Sequence, residues 1–320
     1  MDHNPSTRER RKSPTHAGEA CDAVLLIAFG GPESPGQIRP FLERVTAGRR
    51  IPPARLAEVA RHYEVIGGRS PLNEITRRQA RGLRQRLARA GVDVPVYVGM
   101  RNWHPFLDET LAEIRADGRR RVSGIILSSF QTEASWERYI DSVEAARTAD
   151  GAPVVEYAGA WSGHRLFIQA VADRVAATIE GMPPACRDAP LVFTAHSVPR
   201  SMADGSPYAD QFRQASRSVA ERLGRSRWTL AYQSRSGNPN DPWLGPDVCE
   251  CIEGLARDGE RAVVVVPIGF VCDHVEVLYD LDVEARERAE GLGMKFRRAP
   301  AVNDHPLFID LLASLVPGTG

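Results

Sequence analysis

Residues 191–199 read LVFTAHSVP, an apolar run that ends on a histidine, His196, at a turn of small residues. Residues 27–32, IAFGGP, end in the same way, and TAHSVP at 194–199 lines up with them so that Phe29 falls opposite His196. Working outward from these two stretches, short β-rich runs alternate with longer amphipathic ones, the pattern of βα units around parallel sheets. Strands are predicted near Val24–Phe29, Val96–Gly99, Gly124–Ser128, Val154–Tyr157, Leu191–Thr194, Thr229–Tyr232, Ala262–Pro267 and Lys295–Arg298, two sets of four. The second strands are followed by Pro105-Phe106-Leu107 and Pro242-Trp243-Leu244, and the third by Phe130 and Phe270. The fold class is therefore α/β, with one unit used twice as two Rossmann-like lobes, each a four-stranded parallel sheet flanked by helices.

The offset between equivalent positions is 167 residues for Phe29 and His196, 137 for Phe106 and Trp243, and 140 for Phe130 and Phe270. The first half therefore carries roughly 30 extra residues between its first two strands. They are placed at about 41–71, around GRRIPP and IGGRSP, as a lid over the carboxyl end of the sheet, where ligands bind in doubly wound folds. The first lobe is expected over 22–159 and the second over 160–304. The C-terminal helix of 305–320 is expected to return to the first lobe.

Forty-one basic residues balance 41 acidic ones, so no global field exists to collect nucleic acid or anionic lipid. Five cysteines, Cys21, Cys186, Cys249, Cys251 and Cys272, are odd in number and contain no CxxC pair, which argues for a reducing cytoplasm over a disulfide framework or zinc ribbon. The longest apolar runs are strand-length, well short of the ~20 residues a membrane helix needs. Residues 1–20 are polar and basic without an apolar segment behind them, and read as a disordered tail and not a secretory signal.

His196 stands at the ligand end of its strand. After the third strand of the second lobe comes GFVCDHVEVLYDLDVEA, residues 269–285. A helix starting near Asp273 sets Glu276, Asp280 and Glu284 at spacing four, a ladder of carboxylates with steps of about 6 Å. Carboxylates in a row suit a hydrated divalent cation, and a nearby imidazole shifts the preference toward first-row metals such as Fe²⁺. The competing reading is a solvated face neutralised by Arg286 and Arg288. His274, two positions from Glu276, points away from it on an ideal helix and is expected behind the site. Asn102, Ser135, Tyr139 and Trp243 follow strands of the two lobes, and arginines beside aromatics there suit a flat ligand bearing carboxylates. Nucleotide binding finds no glycine fingerprint, and a serine nucleophile finds no G-x-S-x-G elbow.

AFGGPES, HYEVIGGRSPLNEIT, VYVGMRNWHPFL, FTAHSVP, YQSRSGNPNDPWLGPDV and PIGFVCDHVEVLYDLDVEA occur in the order and spacing of one family, and the chain resembles a ferrochelatase from Val24 almost to its end. The resemblance implies insertion of Fe²⁺ into a porphyrin, protoporphyrin IX or coproporphyrin III, clamped between the lobes, with release of two protons in haem biosynthesis. It implies His196 and Glu276 as the catalytic, metal-handling pair, with Asp280 and Glu284 as a secondary track. It places Phe29 on the opposite face of the macrocycle, where some members have tyrosine or methionine, and Arg49, Ser70 and Tyr139 near the porphyrin edge or its propionates. Some members hold an iron–sulfur cluster; SSFQTEASWERY and the terminal LASLVPGTG contain no cysteine, so no cluster is expected and iron enters only as substrate. A cytoplasmic monomer, with at most weak peripheral membrane contact, is expected. The alternatives are a cobalt or nickel chelatase of a sirohydrochlorin-type ring and a non-catalytic tetrapyrrole carrier.

Overall fold

The computed structural model describes residues 21–48, 51–236 and 241–318; the expected tail at 1–20 lies outside them. Its first half runs β1 (Ala23–Ala28), α1 (Pro35–Val45), α2 (Pro53–Val65), α3 (Leu72–Arg89), β2 (Val96–Met100), α4 (Leu107–Ala116), β3 (Arg121–Ile126), a π-helical turn (Glu133–Glu137) continuing into α5 (Arg138–Ala146), and β4 (Val154–Tyr157). The second half runs α6 (Arg165–Glu180), a 3₁₀ turn (Pro184–Cys186), β5 (Leu191–His196), α7 (Arg200–Asp204), α8 (Tyr208–Arg222), β6 (Trp228–Gln233), α9 (Val248–Arg257), β7 (Ala262–Val266), α10 (Val275–Leu278), a second π-helical turn (Asp280–Ala285), α11 (Arg286–Gly291), β8 (Lys295–Arg298) and α12 (Pro306–Ser314).

The strands form two parallel sheets of identical plan, β2-β1-β3-β4 and β6-β5-β7-β8. In β1, AVLLIA, and β7, AVVVV, every residue is buried, as expected for strands covered by helices on both faces. β5 runs two residues further than its apolar run, and His196 is its last residue, in register with Gln233 of β6.

Two expectations are corrected. Tyr232 bridges Asp247, and its N–H donates to the Pro246 carbonyl, just as Met100 bridges Phe106 and donates to Pro105. Glu250 and Glu109 then close matching caps on the helices that follow. The structural counterpart of Pro105-Phe106-Leu107 is therefore Pro246-Asp247-Val248, and Pro242-Trp243-Leu244 opens no helix. The aromatic ring of Trp243 imitated the spacing without occupying the position.

The second correction concerns 273–285, where no single α-helix forms. α10 is one turn, and the Glu284 N–H reaches back five residues to the Tyr279 carbonyl at 3.1 Å. Val277, Leu281, Ala285 and Ala289, all fully buried, explain the wider turn. Residues at spacing four drift by 40° per step on an ideal α-helix. A π turn winds less per residue and takes the drift back, so the whole stripe faces the core. Glu276, Asp280 and Glu284 share that spacing and stay aligned for the same reason.

One core cluster holds residues of both halves, Leu26 and Ile125 of the first with Phe193 and Val264 of the second, and within it Phe308 of α12 lies against Trp161 and Phe167. α12 also lies on α3, through Ile309 against Gly82 and an Arg86–Asp310 ion pair. α1 and α2 enclose a separate cluster of Ile38, Phe41, Leu42 and Tyr63, against which Trp103 of one half and Val275 of the other both pack.

Candidate active site

Three consecutive turns build the centre of the site. β5 delivers His196 at its end, β6 delivers Gln233 and Ser234 beside it, and α10 delivers Glu276. Nε2 of His196 lies 3.8 Å from Oε1 of Glu276. Nδ1 of His196 faces the Ser197 carbonyl at 2.5 Å. A carbonyl only accepts, so Nδ1 carries a proton and Nε2 is the ring nitrogen turned toward Glu276. The buried Tyr208 hydroxyl donates to the His196 carbonyl at 2.8 Å, fixing the strand end from behind.

Gln233 is fully buried, and its amide donates to the Glu276 carbonyl at 2.7 Å. Ser234 adopts a left-handed conformation, φ 61°, which turns its hydroxyl to donate to Asp280. Burial pushes the Asp280 carboxyl up to about 8, with the charges of Glu276 and Glu284 adding to the effect and the Ser234 hydrogen bond opposing it. Glu284, more exposed, is also raised, first by burial and then by Asp247. The arginines expected to neutralise this face do not: Arg286 reaches Asp282 and Arg288 reaches Glu253.

His274 caps α10, its Nδ1 accepting the Glu276 N–H at 3.2 Å. Burial holds its pKa below the ordinary value against the opposing charges of Glu276 and Asp273, with His196 adding to the depression. At this cap the backbone is extended, φ −134° and ψ −173°, so the chain does not enter the turn as a helix.

Across the interface, burial first and the charge of Glu276 among the lesser causes raise the phenols of Tyr63 and Tyr139, so both first-half tyrosines lie within reach of that carboxylate's field. His62 of α2 stacks on Tyr279 with centroids 3.6 Å apart and planes 8° from parallel. Neither member of this stack is singled out by sequence patterning; they are 217 residues apart, and only the HYEV run before the IGGRSP turn marks the segment.

A ferrochelatase family profile matches residues 21–319. The chain belongs to the ferrochelatase family. As a ferrochelatase it is a metal chelatase, an enzyme that inserts ferrous iron into a porphyrin in haem synthesis. The coproporphyrin III ferrochelatase of Nocardia farcinica is 44% identical over 93% of this chain and 88% of its own, and the ferrochelatase of Rhodopirellula baltica 40% identical over 92% and 85%. Among solved structures, SirB from Bacillus subtilis with Fe³⁺ is similar in fold, with a TM-score of 0.56 over 93% of this chain and 94% of that one, at 11% identity.

The remaining ferrochelatase positions read from sequence fall into two groups. Phe29 is exposed just beyond β1, edge-on to Phe41, and Asn102 donates to its carbonyl from both backbone and side chain. Tyr139 is buried beneath the Arg101 guanidinium, and Trp243 bridges Pro199 near the Arg235 guanidinium. Ser70 and Ser135 use their hydroxyls internally. Ser70 is buried against Gly31, where an added Cβ would lie 2.8 Å from its own, and accepts the Leu72 N–H; Ser135 donates to the Phe130 carbonyl at 2.7 Å. Arg49 lies outside the described residues.

Proposed function

We propose that this ferrochelatase metallates coproporphyrin III and that His196 and Glu276 are its insertion pair. The observation that carries the residue assignment is Nε2 of His196 facing the Glu276 carboxylate at 3.8 Å, at the head of a row of carboxylates at spacing four. Metallation replaces two pyrrole N–H protons by Fe²⁺, so the site must supply a base on the ring side and a path for charge away from it. His196 accepts the proton at Nε2, within range of Glu276 to stabilise the imidazolium. Glu276 meets the metal or relays the proton. Asp280, raised to about 8, takes up a proton near neutral pH, and Glu284 opens the row to solvent. Clamping the macrocycle bent, so that nitrogen lone pairs leave its plane, is the use of binding energy that the two-lobed cleft permits.

Phe29 offers no oxygen to the opposite face of the ring, so axial help from that side is absent from the scheme. Seven of the relatives at 41–44% identity carry the name coproporphyrin III ferrochelatase, which favours the tetra-acid over protoporphyrin IX. Arg101, lying over Tyr139, and Arg235, near Trp243, supply cations that suit additional carboxylates. The likeness to SirB is one of fold and carries no argument for a sirohydrochlorin-type substrate.

The reading includes no iron–sulfur cluster. The SSFQTEASWERY segment contains no cysteine to ligate one. A cytoplasmic monomer belongs to the same reading; among the described residues no helix is long and apolar enough to cross a membrane. The deciding experiment measures anaerobic Fe²⁺ insertion into coproporphyrin III and protoporphyrin IX side by side. The expected result is a kcat/KM at least tenfold higher for coproporphyrin III, and equal values or the reverse order would overturn the substrate assignment.

A further inference from the structure

The stretch from Asp273 to Asp282 carries His274, Glu276 and Asp280, yet its only regular structure is one α-helical turn and the start of a π turn. So short a helix has little stability of its own. Its two terminal aspartates converge on one side chain. Arg298, the last residue of β8, donates from Nη1 to Asp273 Oδ1 at 2.8 Å, from Nε to Asp282 Oδ1 at 2.8 Å and from Nη2 to Asp282 Oδ2 at 2.7 Å. The Arg298 side chain is 11% exposed and those of Asp273 and Asp282 are 16% and 22%, so the pairs are largely withdrawn from water.

The anchor rests on rigid elements. Arg298 is in register with Val265 in the middle of the second-half sheet. Asp273 also accepts from the Asn303 side-chain amide at 2.8 Å and from the Ala301 N–H, and its own N–H donates to Asn303 Oδ1 at 2.8 Å. The Asn303 carbonyl accepts from Gln79 of α3, in the other half, at 2.9 Å. The same guanidinium thus ties both ends of the segment to β8, and Asn303 ties one end across to the first half.

We propose that Arg298 is a positioning residue for metal insertion: by holding Asp273 and Asp282 together it sets where Glu276 and Asp280 stand relative to His196. This rests on the reading of His196 and Glu276 as the insertion pair. A planar fork is needed, because a lysine ammonium presents a single point of charge and cannot span two carboxylates while pairing bidentately with one of them. Loss of the fork leaves the segment's ends free to separate, and a displacement of about 1 Å in reacting groups can cost up to about 100-fold in rate.

The test compares Arg298→Lys, Asp282→Asn, Glu276→Gln and Val175→Ala in the full chain. Val175, in the core of α6, serves as a stability control remote from the segment. Tm, porphyrin affinity by fluorescence quenching, and kcat and KM for Fe²⁺ are measured for each. The expected result is a kcat lowered about tenfold or more, with KM for Fe²⁺ raised, in Arg298→Lys and Asp282→Asn, while porphyrin affinity stays within about twofold of wild type. Val175→Ala loses Tm and keeps both kinetic constants. Should Arg298→Lys be insoluble, the milder Asp282→Asn decides. Wild-type iron kinetics in the segment variants, or losses no different from those of Val175→Ala, overturn the proposal. If Glu276→Gln is impaired while they are not, only the positioning role fails. If Glu276→Gln itself keeps wild-type kinetics, the insertion-pair reading falls and takes this role with it.

Discussion

The two halves of the molecule share strand order, register and even the π turn that follows the third strand, at Glu133–Glu137 in one and Asp280–Ala285 in the other. Their chemistry is divided. The first half places Phe29 just beyond β1, and its π turn holds Ser135 in an internal hydrogen bond. The second ends β5 on His196, and its π turn carries Asp280 and Glu284. A duplicated scaffold therefore offers two equivalent ligand-facing edges, one furnished with aromatic and cationic groups that suit a flat acid, the other with groups that exchange protons and meet a metal.

The sharpest way to break this division is to exchange losses between the halves. His196→Ala removes the imidazole that faces the Glu276 carboxylate, and kcat for Fe²⁺ insertion is expected to fall by about 10²–10⁴-fold, the range of general acid–base catalysis. Porphyrin affinity should change little. Phe29→Ala is expected to show the opposite balance, weaker porphyrin binding with a smaller loss of kcat. Stopped-flow insertion assays with parallel fluorescence titration separate the two, and equal effects of both variants on both constants would end the comparison.

Asp280 sharpens it through pH. Its carboxyl is raised from 3.8 to about 8, so between those values the folded chain holds a proton that the unfolded chain releases. Stability then declines as pH rises through this window, because the folded state binds more protons than the unfolded one. Asp280→Asn removes the penalty. Its Tm relative to wild type should climb from pH 5 to pH 8, while its iron-dependent rate falls severalfold. A Tm difference that is flat with pH would mean that Asp280 is ordinarily ionised in the folded chain and that its row is a solvated face.

How much of this was legible follows from where the physical signal resides. The eight strands could be read because sheets covered on both faces need continuous apolar runs, as in AVLLIA and AVVVV. His196 and Glu276 could be brought together because both follow adjoining strands of one sheet. The π turn could not be read, since spacing four in Val277, Leu281 and Ala285 is written identically for an α-helix, and only burial of the whole stripe distinguishes the two. Trp243 misled the repeat alignment because an aromatic after a proline looks like Phe106, whereas the helix start is governed by the cap that Asp247 forms. Arg298 left no local trace: its partners lie 25 and 16 residues earlier, and a charged residue closing a strand has an ordinary surface explanation.

The smallest expected effect concerns the join between the halves. His62 sits on α2, within the stretch that the first half carries in excess, and its ring lies flat on Tyr279, next to Asp280. Burial holds His62 below its ordinary pKa, which favours the neutral ring for stacking. An aromatic pair of this kind contributes about 0.5–1.5 kcal/mol, equivalent to roughly two- to tenfold in an equilibrium between joined and parted halves. His62→Ala should therefore raise the porphyrin KM by a few-fold and leave kcat within about twofold of wild type, since the pair touches neither His196 nor Glu276. His62→Phe keeps the stack without the imidazole and should restore KM. If it fails to do so while His62→Ala is impaired, the ring acts through its nitrogen atoms, and α2 then contributes to the proton chemistry otherwise confined to the second half.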